Sequence, residues 1–280
     1  MTTTDITLDP AVAVDVAIRS GVSRREALRK AAMYSTALAA SPLALAALST
    51  EAYAQAIPPA VRQVLEFALV LEHLEYEFYV QGTDTAGLIP ASDTALFQTI
   101  RAHEGDHVRF LQRTLGLTQG FGPGAAGRPT NGFNFSGAPG GLNLPTFTDY
   151  QTFLAVSQGL EDTGVRAYKG QAGNLMSVDG VLQAALQIHA VEARHASAVR
   201  RVRGKKGWIT GNDRDGLPAP FQGIYNGEEN VTQGGVNLQT ALSTYTVAQI
   251  TEAFDETLTK DQVSNPGRTG IADVFINPNP

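Results

Sequence analysis

From Val61 onward, inward-facing positions recur every three and four residues: Leu65 and Ala68 begin a stripe that continues through Glu72, Glu75 and Tyr79. That spacing is the signature of a helix with one face turned to a core. Gly82 and the Gly87–Pro90 turn end it. A second stripe, Phe97, Ile100, Glu104, His107 and Leu111, stops at Gly116. A third runs from about Phe147 to Gly170 through Leu154, Glu161 and Tyr168. A fourth runs from about Val181 to Arg203 through Ala185, Ile188, Glu192, His195, Val199 and Val202. Between the second and third lies a stretch rich in Gly, Pro and Asn, roughly Gly120 to Pro145, with no period. Beyond Gly204 the chain reads as loops until a short amphipathic stretch, Val247–Leu258, with Ile250, Phe254 and Leu258 on one side. Strand-like alternation is confined to about Val231–Leu238 and Ala272–Ile276. The pattern predicts an all-α four-helix bundle with a long crossover between helices 2 and 3. A loop-rich C-terminal extension with a short fifth helix follows it.

The residues ahead of the first stripe belong to a different class. Ser23-Arg24-Arg25-Glu26-Ala27-Leu28-Arg29-Lys30 precedes an Ala/Leu-rich run, Ala31 to Leu48, which ends at the small-residue sites Ala52-Tyr53-Ala54 and Ala54-Gln55-Ala56. A charged flank, a modest apolar run and an A-x-A site make a secretory leader, and the run is short for a membrane span of ~20 residues. The paired arginines after serine resemble a twin-arginine export signal, although Ala27 stands where that signal usually has a larger apolar residue. The expected division is therefore 1–54 leader, 55–205 bundle and 206–280 extension packed on the bundle, in a protein that is periplasmic or extracellular. No other segment is long and apolar enough to span a membrane.

Composition narrows the chemistry. Residues 1–54 carry five basic and five acidic side chains, so the whole formal charge of −6 falls on the remainder. That balance argues against a nucleic-acid partner, which calls for a basic face. Cysteine is absent, which removes disulfides, thiolate metal sites and cysteine nucleophiles together. Any metal must be held by carboxylate, imidazole or water.

The four stripes contain an internal repeat. Glu72 is followed by Tyr79 seven residues on, then by Glu104 and His107; Glu161 is followed by Tyr168 seven residues on, then by Glu192 and His195. Residues three apart on a helix share a face, so each Glu-x-x-His pair can hold one cation. Four carboxylates converging in a core would bind protons or cations, because unpaired buried charge costs several kcal/mol per ion. Mixed carboxylate and imidazole ligands suit iron or manganese better than a closed zinc site. Glu75 also lies on the inner stripe, with Gly164 as its counterpart, and either replaces Glu72 or adds a carboxylate. Tyr79 and Tyr168 either hydrogen-bond the ligating carboxylates or are core tyrosines with other partners. His189, three before Glu192, is either an outer partner of the ligands or, as the simpler reading, a partly exposed helix residue, while His73 and Asp106 are expected to face solvent. The basic run Arg200, Arg201, Arg203, Lys205 and Lys206 is expected to be a solvated helix end.

A glutamate from each of two helices plus Glu-x-x-His from each of the other two resembles the ligand set of ferritin-like di-iron and di-manganese proteins. More narrowly, Leu71-Glu72-His73-Leu74-Glu75-Tyr76-Glu77-Phe78-Tyr79, Leu160-Glu161-Asp162-Thr163-Gly164, Glu192-Ala193-Arg194-His195-Ala196 and the tail Glu252–Thr259 resemble one ferritin-like domain family. That family includes plant desiccation-related proteins and exported bacterial relatives. The resemblance covers roughly residues 58 to 265. It implies a ferritin-like four-helix bundle whose two iron or manganese ions are held by Glu72, Glu104, His107, Glu161, Glu192 and His195, with Glu104 and Glu192 bridging. If the protein is an enzyme, the oxidant expected at such a centre is O2 or peroxide, in a ferroxidase or peroxide-consuming stress protein.

Two rivals remain at this stage. One is a non-catalytic stress-related or binding protein on the same scaffold, with Phe121, Phe133, Phe135 and Phe147 of the crossover as a partner surface. The other is a zinc metallopeptidase, because His103-Glu104-Gly105-Asp106-His107 reads as H-E-x-x-H. Against it stand Asp106 inside the motif, Val191 at the first-histidine position of the second half, and the unexplained Glu161, Glu192 and His195.

Overall fold

A computed structural model describes residues 57–264 and 274–277. The expected leader lies outside the described residues. Four long helices dominate: α1 (Pro59–Asp84), α2 (Ala91–Thr114), α3 (Tyr150–Gln171) and α4 (Asp179–Val202). Each agrees with a sequence stripe to within a few residues at either end. α1 opens with Pro59 in its first turn, where a missing N–H costs nothing. α3 starts at Tyr150, not at Phe147, because Asp149 caps it and accepts from Thr152 N at 2.7 Å. α2 and α4 are followed by Gly116 and Gly204 at φ 69° and 70°, where a side chain would be strained.

α1 packs chiefly on α2 and α3 on α4, so the bundle is two hairpins joined through α1–α3 and α2–α4 contacts. None of these helices is long and apolar enough to cross a membrane. Two apolar clusters fill the bundle on either side of its middle. One centres on Phe78, Phe97, Phe153 and Leu160, the other on Leu65, Leu69, Leu111 and Ile188.

The crossover is not a free aromatic surface. Phe135 is buried, Phe133 and Phe147 pack against the first cluster, and Phe121 stacks on Tyr76 at 4.2 Å. The crossover also pairs with the end of the described chain, Asn134 N donating to Phe275 O at 2.7 Å and Phe133 bridging Ile276. His73, expected to face solvent, is buried because the crossover covers it. Its Nε2 lies 3.1 Å from Ala126 O, and Gln112 Nε2 donates to Gly120 O and Ala126 O, both at 3.0 Å. Asp106 is half-buried and pairs with Arg109 at 2.9 Å.

The C-terminal segments are shorter than expected: α5 (Gln222–Tyr225), a two-stranded β1 (Thr232–Gln233) and β2 (Val236–Asn237), α6 (Leu238–Ala241), α7 (Val247–Thr251) and α8 (Lys260–Ser264). The stretch 247–258 is thus helical only at its start, where Thr246 and Gln249 form a capping box, and Phe254 is largely exposed.

Buried arginines fasten these segments to the bundle. Arg166 of α3 donates to the carbonyls of Ile224, Asn226 and Glu256 and pairs with Glu228 at 2.7 Å. Arg200, expected in a solvated run, is fully buried between Asp162 at 2.6 Å and Asp215 at 2.5 Å. Where α3 meets the tail, a Cβ added at Gly170 would sit 2.0 Å from the Leu258 carbonyl oxygen. That neighbour is backbone and cannot swing aside. Gly170→Ala is expected to destabilise the protein by about 1–3 kcal/mol, read by urea unfolding of the metal-free chain.

Candidate metal centre

The helical period delivers the site. Glu72, Glu75 and Tyr79 lie on the inner face of α1; Glu104 and His107 on that of α2; Glu161, Gly164 and Tyr168 on that of α3; Glu192 and His195 on that of α4. The six residues expected as ligands come together between the two apolar clusters, at 0% exposure for the four glutamates, 6% for His107 and 5% for His195. They form two overlapping groups: Glu72, Glu104, His107 and Glu192; and Glu104, Glu161, Glu192 and His195. In each, the candidate ligand atoms all lie within 4.8 Å of one another. Glu104 and Glu192 belong to both.

The atoms are arranged about the two imidazoles. His107 Nδ1 lies 3.0 Å from Glu104 Oε2 and 3.1 Å from both Glu72 Oε2 and Glu192 Oε1. His195 Nδ1 lies 2.8 Å from Glu104 Oε1, 3.3 Å from Glu161 Oε2 and 3.7 Å from Glu192 Oε2. The His107 contacts to Glu72 and Glu104 are hydrogen bonds, while the other four are close but poorly aligned. His195 Nδ1, Glu104 Oε1, Glu161 Oε2 and both Glu192 oxygens are buried without a hydrogen-bond partner. Buried polar atoms in native proteins are nearly always satisfied, so convergent orphans of this kind suit a shared cation as their partner. The oxygen and imidazole donors fit a divalent transition metal, and the clusters can hold metal ions.

The tyrosines hold the outer glutamates across the pseudo-two-fold. Tyr79 donates to Glu161, with its hydroxyl also 2.6 Å from Ser157 Oγ, while Tyr168 donates to Glu72. Each tyrosine therefore serves the glutamate of the other half. Such bonds fix a ligand's orientation.

Protonation without metal follows from burial and neighbours. Burial drives Glu72 and Glu161 up to about 8, although His107 and His195, respectively, pull them back. Burial also opposes ionisation of Glu104, but His107 and His195 outweigh it and hold that carboxyl below the usual range. Glu192 is held below it too: burial and Glu104 oppose ionisation, and the two imidazoles win. Burial disfavours charge on both histidines, but Glu72 with Glu104 raises His107, and Glu161 with Glu104 raises His195. At neutral pH the metal-free cluster then holds two carboxylates, two imidazolium ions and two carboxylic acids. It is neutral, as its burial demands.

Glu75 is buried beside the centre but belongs to neither group. Its carboxyl points at Gly164: a Cβ there would lie 3.2 Å from Glu75 Oε1 and 3.3 Å from Glu192 Oε2. Burial, then the surrounding glutamates, push its acid well above the usual range. His189 does not approach the centre, its Nδ1 meeting Val165 O at 3.0 Å. His103 is exposed and in neither group; its Nδ1 lies 2.9 Å from His195 Nε2 and the two rings are nearly parallel, edge to edge. The two histidines of the H-E-x-x-H segment thus serve different halves of the site, and no peptidase-type pair forms.

Three polar residues beside the centre carried no signal in the helical stripes. Asp162, next to Glu161, accepts from Arg200 and from Tyr225 at 2.7 Å, so α3, α4 and the extension are locked together one residue from a candidate ligand. The charged neighbour of Glu161 and the arginine run were visible in the sequence, but not their pairing. A small apolar cavity of about 20 Å³ has Ala68, Leu71, Ile188 and Tyr168 in its wall.

In comparison with known proteins, the profile of a family described as "Ferritin-like domain" matches residues 60–205, more than half of the chain. No curated protein and no solved structure matches it.

Proposed function

Since the chain belongs to the ferritin-like domain family, we propose that it is a dinuclear iron or manganese protein acting as an oxidase or peroxide-consuming protein. The observation that carries this reading is the sharing of Glu104 and Glu192 between two buried ligand groups, which is what two adjacent ions need. Glu72 with His107 would complete one position and Glu161 with His195 the other. Bound there in the divalent state, the pair would supply two electrons to one molecule of oxidant, taking dioxygen with two protons to hydrogen peroxide, or peroxide with two protons to water.

The protein's own groups prepare that chemistry. Tyr79 and Tyr168 hold Glu161 and Glu72, so the outer carboxylates keep their aim whether or not a cation is present. The apolar clusters on either side exclude water from the centre. The apolar cavity at Tyr168 has room for a molecule the size of dioxygen. The same reading takes the protein to be exported, on the strength of the arginine pair and the A-x-A sites.

Elemental analysis of protein recovered from its native compartment is expected to find close to two transition-metal ions per chain. Metal-free protein given Fe(II) and air should develop near-ultraviolet absorbance. Absence of transition metal at any stoichiometry, before and after reconstitution, would overturn the reading.

A further inference from the structure

His103 takes no part in either ligand group, yet its position is specific. It stands one residue before Glu104 on α2 and reaches across to α4, where its Nδ1 lies 2.9 Å from His195 Nε2. The two rings are nearly parallel, at 15°, with centroids 5.2 Å apart. His195 turns its other nitrogen, Nδ1, to Glu104 and Glu161.

With a cation at Nδ1, the only nitrogen-bound proton left on the His195 ring is at Nε2, so Nε2–H of His195 donates and His103 Nδ1 accepts. A hydrogen bond to the far nitrogen fixes the tautomer and tilt of a metal-binding imidazole and raises its basicity.

The second half lacks the device. The repeat that relates Glu104-x-x-His107 to Glu192-x-x-His195 places Val191 where His103 stands. The residue at the corresponding position of α4 is Val191, whose side chain accepts no hydrogen bond. The crossed tyrosine bonds keep the six ligands and their tyrosines two-fold, so the halves differ beside the ligands, in His103 against Val191 and in Glu75 against Gly164.

We propose that His103 is a positioning residue for His195 and makes the two metal positions unequal, the one completed by Glu161 and His195 binding its ion more tightly. The inference rests on the dinuclear reading above. Anaerobic titration of the metal-free full chain with Mn(II) is expected to give two unequal steps. His103→Val, which copies the other half, should weaken the tighter step by about 10–100-fold and bring the two together. His103→Asn, which keeps an acceptor near the place of Nδ1, should restore most of the difference. Because His103 is exposed, neither variant should alter helical circular dichroism.

The metal-free protein supplies an independent reading. The proton shared between His195 Nε2 and residue 103 should be visible and slow to exchange by NMR in the wild type and in His103→Asn, and lost in His103→Val. Two equal steps in the wild type, equal weakening of both steps in His103→Val, or no rescue by His103→Asn would each overturn the proposal. Failure of the wild type to take up either Mn(II) or Fe(II) would instead overturn the dinuclear reading, and the shared proton would still report whether the contact exists.

Discussion

Alanine in place of both Glu104 and Glu192 is expected to take metal loading from about two ions per chain to none, while single replacements of Glu72 or Glu161 should each leave about one. The contrast follows from membership. Glu104 and Glu192 stand in both ligand groups, whereas Glu72 and Glu161 each stand in one. Removing both shared carboxylates strips two donors from each position and leaves one glutamate and one imidazole apiece. Removing an outer carboxylate leaves the other position with its full set. The helices should survive the double substitution, because the clusters on either side of the centre are aromatic and aliphatic and do not depend on it. Once their anionic partners are gone, His107 and His195 can shed their protons, so no unpaired charge need stay buried. Elemental analysis with far-ultraviolet circular dichroism checks both halves of the expectation. Full metal retention in the double variant, or complete loss in Glu72→Ala, would refute the shared arrangement.

The sequence was most informative where the physics is local. A three-and-four period of inward positions identifies four helices, and seven-residue and three-residue spacings place Glu72 with Tyr79, Glu104 with His107, and their copies, on single faces. Those relations depend only on the geometry of one helix. Contacts that depend on how helices cross were not legible. Nothing in the sequence around His103 pairs it with His195, ninety-two positions away, and the motif it completes pointed to a peptidase. Burial supplied by distant segments was equally hidden. His73 and Arg200 read as exposed because their coverings, residues 120–126 of the crossover and Asp215 of the extension, lie outside their helices. Short C-terminal elements were misread for a related reason: Val247–Leu258 has a helical apolar spacing, but Leu258 is held by its N–H to Arg166 O at 3.1 Å, which fixes the chain in an extended path across α3.

Metal uptake should be steeply dependent on pH, with about four protons leaving the centre as two ions enter at pH 7. They come one each from Glu72, Glu161, His107 and His195, all of which hold protons in the metal-free state. Two divalent ions then replace four protons, and the buried site keeps its net charge. With two protons displaced per ion, apparent affinity should rise roughly a hundredfold per pH unit below about pH 8, where Glu72 and Glu161 still compete. Calorimetric titration in buffers of differing ionisation enthalpy counts the protons directly.

The stability of the metal-free chain should move the opposite way. Glu72 and Glu161 bind protons more tightly folded than unfolded, so their stabilising contribution is complete below the ordinary 4.5 and is lost as pH rises through about 8. The raised histidines add to that loss above their ordinary 6.5. Glu104 and Glu192, held below the usual range, contribute above 4.5 and lose that contribution only in stronger acid. Metal-free protein is therefore expected to be most stable near pH 4.5 and to weaken progressively toward pH 8, more steeply above 6.5. Glu228, raised to about 7 by burial against the pull of Arg166, weakens both forms alike and cancels in the comparison. The gap in melting temperature between loaded and chelator-treated protein should consequently widen from pH 5.5 to pH 8. A gap that is constant across that range would mean that the ions displace no protons from these four side chains and bind elsewhere.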